Sequence, residues 1–126
     1  MLIPAMSGGR YVFPMPQGVM TIAAADFSSN VCTLKMNPTD ETGEKQLTAH
    51  MVTVVASASN DDLVLPPVKQ CDGLVLYIIN ASSSNNIDLK YVDSSGSVEE
   101  LDLAASEIGI CMCDGARWFA LVSTAS

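Results

Sequence analysis

Positive charge is what this sequence has least of. Its 126 residues hold 6 lysines and arginines against 14 aspartates and glutamates, a formal net charge of −8. A nucleic-acid binder neutralises phosphates with Lys and Arg, and no basic run is present to do so. The same balance argues against anionic membranes. Histidine occurs once, as His50, between a polar stretch and an apolar run, with no nucleophile motif beside it. A Ser-His-Asp or Cys-His arrangement needs such a residue as its base. G-x-S-x-G, the P-loop and H-E-x-x-H are all missing, so neither an enzyme nor a cofactor is expected. No apolar stretch nears the ~20 residues of a membrane helix. The start, Met1-Leu2-Ile3-Pro4-Ala5-Met6, has neither the positive region nor the apolar run of a signal peptide. A reducing cytoplasm is the expected place of synthesis. Aromatic residues are 6% of the chain, few for a sugar-stacking surface; Trp118, in an apolar strand near a turn, is expected in the core.

Four cysteines are present, Cys32, Cys71, Cys111 and Cys113. Cys111-Met112-Cys113 is C-x-C, not the C-x-x-C of zinc ribbons or thioredoxin-like sites. In a reducing compartment they read as buried thiols acting as small hydrophobes, and no metal is expected.

What the chain does have is hydrophobic residues, 48% against 16% charged, enough to fold one domain with a real core. Beyond Asn30 the apolar period is two. Val31-Cys32-Thr33-Leu34-Lys35-Met36 and Met51-Val52-Thr53-Val54-Val55 read as strands, and residues 37–46 as a polar loop. Leu74-Val75-Leu76-Tyr77-Ile78-Ile79 is continuously apolar, as in a strand buried on both faces. Ile87, Leu89 and Tyr91 share one face, with Asp88 and Lys90 on the other. Ile108, Ile110 and Met112 face one way, and Gly109, Cys111 and Cys113 the other. Asp114-Gly115 is the strongest hairpin signal. Strands recur about every ten residues, which predicts an all-β fold: an antiparallel β-sandwich or a jelly-roll or barrel-like domain. Leu76, Ile78, Leu89, Ile110, Trp118 and Leu121 are the expected core.

The N-terminal stretch differs. Residues 1–27 hold Pro4, Pro14 and Pro16 and a Ser7-Gly8-Gly9 hinge. Proline fixes φ and removes a donor, so residues 1–29 read as an extended arm ahead of a β-domain at 30–126. Tyr11, Phe13, Met15 and Pro16 are its expected partner-binding residues. Residues 19–25 fit either a strand or a short helix. The acidic pairs Asp61-Asp62 and Glu99-Glu100 diverge on a strand and read as solvated charges.

Taken in order, six segments carry a resemblance: Leu63-Val64-Leu65-Pro66; Asp72-Gly73-Leu74 with Asn80 at the end of the apolar strand; Ile87-Asp88-Leu89; Ser94-Ser95-Gly96; Leu103-Ala104-Ala105-Ser106-Glu107; and Cys113-Asp114-Gly115-Ala116-Arg117-Trp118. This set, over residues 63–122, resembles tailed-phage virion proteins, especially capsid decoration (cement) proteins and fibre modules. The resemblance implies a β-module on the capsid exterior, a homotrimer bound to the major capsid protein, with no nucleic-acid or membrane partner. The rival it implies is a receptor- or glycan-binding fibre module using residues 80–86 and 93–97. A third reading, a metal protein or enzyme on Cys111, Cys113 and His50, has only those residues in its favour.

Overall fold

The computed structural model describes residues 18–124, together with the backbone of two short strands nearer the N-terminus. Those two, β1 (Met6–Ser7) and β2 (Arg10–Tyr11), pair as an antiparallel ribbon. Ten strands follow: β3 (Val19–Ile22), β4 (Val31–Lys35), β5 (Glu44–Gln46), β6 (Met51–Val54), β7 (Asp61–Val64), β8 (Val75–Asn80), β9 (Ile87–Val92), β10 (Val98–Leu103), β11 (Glu107–Cys113) and β12 (Trp118–Thr124). They form two five-stranded sheets, ordered β12-β11-β8-β6-β3 (the first sheet) and β10-β9-β7-β4-β5 (the second). The described residues contain no α-helix, only 3-10 turns at Ala24–Asp26 and Val68–Gln70. The protein is all-β.

The expectation of antiparallel strands throughout is corrected. From β3 to β4, from β6 to β7 and from β8 to β9 the chain leaves the first sheet for the second. Successive passes stack in the same direction, so β3, β6 and β8 are parallel, as are β4, β7 and β9, and β5 joins β4 in parallel. Within the two five-stranded sheets only the C-terminal part is antiparallel: β9 with β10, and β11 between β8 and β12. A period of two reports one buried face per strand. It carries no information on whether a turn returns the chain to the same sheet or across to the other.

Inner faces of both sheets meet in a single core. Ile22, Val52, Val54, Leu76, Ile78 and Trp118 come from the first sheet, and Leu34, Leu63, Ile87, Leu89 and Leu103 from the second; all are at most 1% exposed. The expected core residues Leu76, Ile78, Leu89 and Trp118 are there. Ile110 and Leu121 are not: β11 turns Gly109, Cys111 and Cys113 inward, and Leu121 is 64% exposed. Where both faces of a strand are apolar, hydrophobicity cannot choose between them. On the inward side, Gly109 lies against the second sheet, where a Cβ would meet Leu89 Cδ1 at 3.5 Å, an ordinary packing distance. Likewise β8, read as buried on both faces, is covered on one only; Tyr77 is 40% exposed.

Two further differences concern short strands. β5 falls in the polar stretch read as a loop, because pairing with β4 holds it: the Gly43 carbonyl accepts from Thr33 N–H and the Lys35 carbonyl from Leu47 N–H. Residues 19–22, assigned to the arm, form β3 in register with β6. Val19–Ile22 therefore belong to the first sheet.

The turns bear out their chemistry. Asp114 Oδ1 accepts from the Ala116 and Arg117 N–H groups at 2.8 and 2.9 Å, closing the β11–β12 hairpin. Gly115 there has φ of +89°, open to glycine and costly to most side chains. Segments 63–66 and 113–118 of the resemblance meet in space: the Trp118 indole N–H donates to the Pro66 carbonyl at 3.2 Å.

At the other end, two of the three sheet-crossing corners are tied by Asp61, expected from the sequence to be a solvated turn charge. Asp61 is fully buried. Its carboxylate accepts from Asn30 Nδ2 (2.7 Å), Ser57 N–H (2.7 Å), Ser57 Oγ (2.6 Å) and Ala58 N–H (3.1 Å). A buried carboxylate is tolerable only when so saturated. Asn80 does the same for the next corner, donating to the Asn85 and Leu103 carbonyls and accepting from Ser82 N–H. Burial pushes the Asp61 carboxyl up, but the hydrogen bonds outweigh it and hold it below 3.8. Its contribution is thus complete above pH 3.8 and is lost as pH falls through the lowered value. Asp61→Ala should cost about 3 kcal/mol by urea unfolding at pH 7, since it strands several donors. Asp61→Asn should flatten the loss of stability that the wild type shows below pH 4.

Candidate functional site

The two outer faces are chemically opposite. Registers of the first sheet place Val19 and Thr21 of β3, Met51 and Thr53 of β6, Val75, Tyr77 and Ile79 of β8, Ile108, Ile110 and Met112 of β11, and Phe119, Leu121 and Ser123 of β12 on its outer side. None of these is charged, but the Arg117 guanidinium, one residue before β12, lies over the Phe119 ring at 4.8 Å. Val19, Met51, Tyr77, Met112, Phe119 and Leu121 are exposed large apolar residues. At ~4.8 Å between strands and ~3.3 Å per residue, five strands of about six residues make a footprint of roughly 500 Å². That matches the largest apolar patch of a typical monomer, which is often functional.

The outer side of the second sheet carries Glu44, Asp62, Asp88, Glu100 and Asp102 with Lys35 and Lys90. Asp88 lies between Asp62 and Asp102 on neighbouring strands. Lys90 Nζ reaches Asp62 at 3.0 Å and Glu100 at 3.5 Å. Partial burial, then the charges of Glu100, Asp102 and Asp62, push the Asp88 carboxyl up against the pull of Lys90.

Of the expected partner-binding residues, Tyr11 lies in β2, with its backbone opposite Met6. Phe13, Met15 and Pro16 lie outside the described residues. His50 Nδ1 lies 2.9 Å from the Val75 carbonyl; a carbonyl only accepts, so this nitrogen carries the proton. The four cysteines are free and buried. Burial pushes Cys32 up to about 11 and Cys71 and Cys111 up to about 12, and raises Cys113 as well. These thiols stay protonated and so are poor nucleophiles and ligands. Among the described residues no three His, Cys, Asp or Glu side chains are placed to hold a metal. Asn80, first residue of an Asn-x-Ser sequon, is buried with its amide engaged.

The apolar outer face of the first sheet has its sequence signal in β8 and β11, which are apolar on both faces, a pattern that fits full burial as well as an exposed apolar side.

In the folded protein the native thiols should resist a disulfide reagent such as DTNB, and all four should react in denaturant; absorbance at 412 nm reads the difference. Asp88→Asn should stabilise by up to about 1 kcal/mol at pH 7 by removing a like-charge clash across strands. The raised folded value disfavours the ionised form, so stability gained by protonating Asp88 is complete below 3.8 and lost as pH rises through the raised value. The advantage of the asparagine should therefore vanish toward pH 3, as thermal melts across pH would show. No protein family, curated protein or solved structure matches the chain.

Proposed function

We propose that this protein is a virion structural component, a capsid decoration protein that attaches to the outside of the shell by the uncharged face of its first sheet. In this reading the two stacked sheets are a β-sandwich laid flat on the shell. The acidic sheet points to solvent and keeps the particle surface wet and self-repelling. The observation that carries the reading is the contrast between the faces: one whose strand positions hold no charge, with only Arg117 at its margin over Phe119 among the described residues, the other with five carboxylates.

A partner with an apolar patch is what such a face fits, and the major capsid protein is that partner here. The ~500 Å² footprint approaches the ~800 Å² per partner of a standard interface. Tyr11, Phe13, Met15 and Pro16 are the further contacts, by which the arm would make up the remainder. Binding to assembled shell and not to free subunits stabilises the shell by mass action, and several copies on neighbouring sites add avidity. No chemistry is required, in keeping with protonated thiols and a histidine hydrogen-bonded to backbone. The fibre-module reading loses support from residues 80–86, where Asn80, Ser82 and Asn85 are already engaged in the corner network.

Cosedimentation with DNA-free shells of the cognate major capsid protein tests this. The wild type should pellet with shells and raise their melting temperature. Tyr77→Lys and Met112→Lys, each placing a charge on the uncharged face, should bind at least tenfold more weakly. Asp102→Asn, on the acidic face, should bind as the wild type does. Absence of wild-type binding, or loss of binding only with the acidic-face variant, would overturn the assignment.

A further inference from the structure

Four strands lie at the edges of the two sheets: β3, β5, β10 and β12. An unpaired edge invites another chain, and proteins blunt it with shortness, charge or proline. β5 has three residues and β3 four. β10 has six but carries Glu99, Glu100 and Asp102, so a second strand of the same sequence would bring carboxylates face to face. β12, Trp118-Phe119-Ala120-Leu121-Val122-Ser123-Thr124, is seven residues long and has no charge and no proline. Among the described residues three edges are protected and one is open.

We infer that β12 is an interface with a second copy of this chain, paired edge to edge and antiparallel about a twofold axis at Leu121. The hydrogen bonds already on the strand set the geometry. The Arg117 carbonyl accepts from Asp114 N–H, on the β11 side. The Trp118 carbonyl accepts from the Tyr91 hydroxyl at 2.8 Å, on the other side. Backbone groups alternate along a strand, so the N–H and C=O of Ala120 and Val122 turn away from β11. With the axis at Leu121, Ala120 of one copy opposes Val122 of the other. Each such pair exchanges two hydrogen bonds, and the twofold makes four. Leu121 then meets its own counterpart at a non-hydrogen-bonded position, where Cα atoms sit ~4.5 Å apart. Phe119 meets Ser123, and no charge opposes another.

A cleft of about 400 Å³ lies between β12 and the β10 edge, lined in part by Glu99, Glu100, Leu101, Arg117, Ala120 and Leu121. Pairing would join two first sheets into one of ten strands and make their uncharged outer faces continuous. The interface is isologous, as the commonest homodimers are, and it stands in place of the threefold association that the resemblance implies. It does not depend on the capsid assignment, because it uses the edge of the sheet and not what the face adheres to.

Light-scattering mass after gel filtration tests it. The wild type should run at twice the 13.3 kDa chain mass. Ala120→Pro removes a donor that points away from β11, so the sheet keeps its own ladder while the pairing is lost, and the mass should halve. Leu121→Lys places two like charges at the axis of an exposed position and should also give monomer, with dimer partly restored by salt. Leu121→Cys should form a disulfide-linked dimer on mild oxidation, since the native thiols are buried. A monomeric or trimeric wild type, failure of Leu121→Cys to cross-link, or unchanged dimer mass in folded Ala120→Pro and Leu121→Lys would each overturn the inference.

Discussion

A carboxylate shut away from water holds the architecture together. Asp61 has no exposure and accepts four hydrogen bonds from three residues on two corners of the chain. Those corners carry the chain from the first sheet to the second, so the stacking of parallel passes depends on their alignment. Asn80 repeats the device one pass later, and Ala56 N–H to Ser82 Oγ at 2.9 Å joins the two. Buried polar groups that must be satisfied specify one arrangement, because a slipped corner would leave a charge unpaired in the interior.

With the corners fixed, side-chain direction follows along every strand, and the surface chemistry follows from that. The period-two pattern sends acidic residues of the second sheet outward beside one another, at a measurable cost to Asp88. It sends the first sheet's second set of apolar residues outward too. The folded chain thus exposes apolar side chains on one side and crowds carboxylates on the other.

The adhesive reading and the edge inference draw on the same sheet in different ways. The face offers area without hydrogen-bonding demand, suited to an apolar patch on a larger assembly. The β12 edge offers directional backbone groups, suited to a strand. A paired first sheet would present a wider contact face than one chain can, which is how a small protein would gain grip on a repetitive surface.

The sequence by itself determined the all-β class, the hairpin at Asp114-Gly115, the inward row Ile87, Leu89 and Tyr91, and the burial of Trp118, because each depends on neighbours within a few residues. Segments 63–66, 94–96 and 113–118, far apart in sequence, touch one another in the fold. What only the tertiary structure decided is whatever depends on distant partners. Strand direction was decided at the corners, where Asn30 meets Asp61. The inward face of β11 shows only in the fold, where Gly109 packs against Leu89 and Leu103 of the second sheet. β5 owes its existence to β4, against its own polar composition. The candidate surface was hidden for the same reason: an apolar residue reads alike whether it faces the core or the open side, and only the second sheet, by covering one face and not the other, tells them apart.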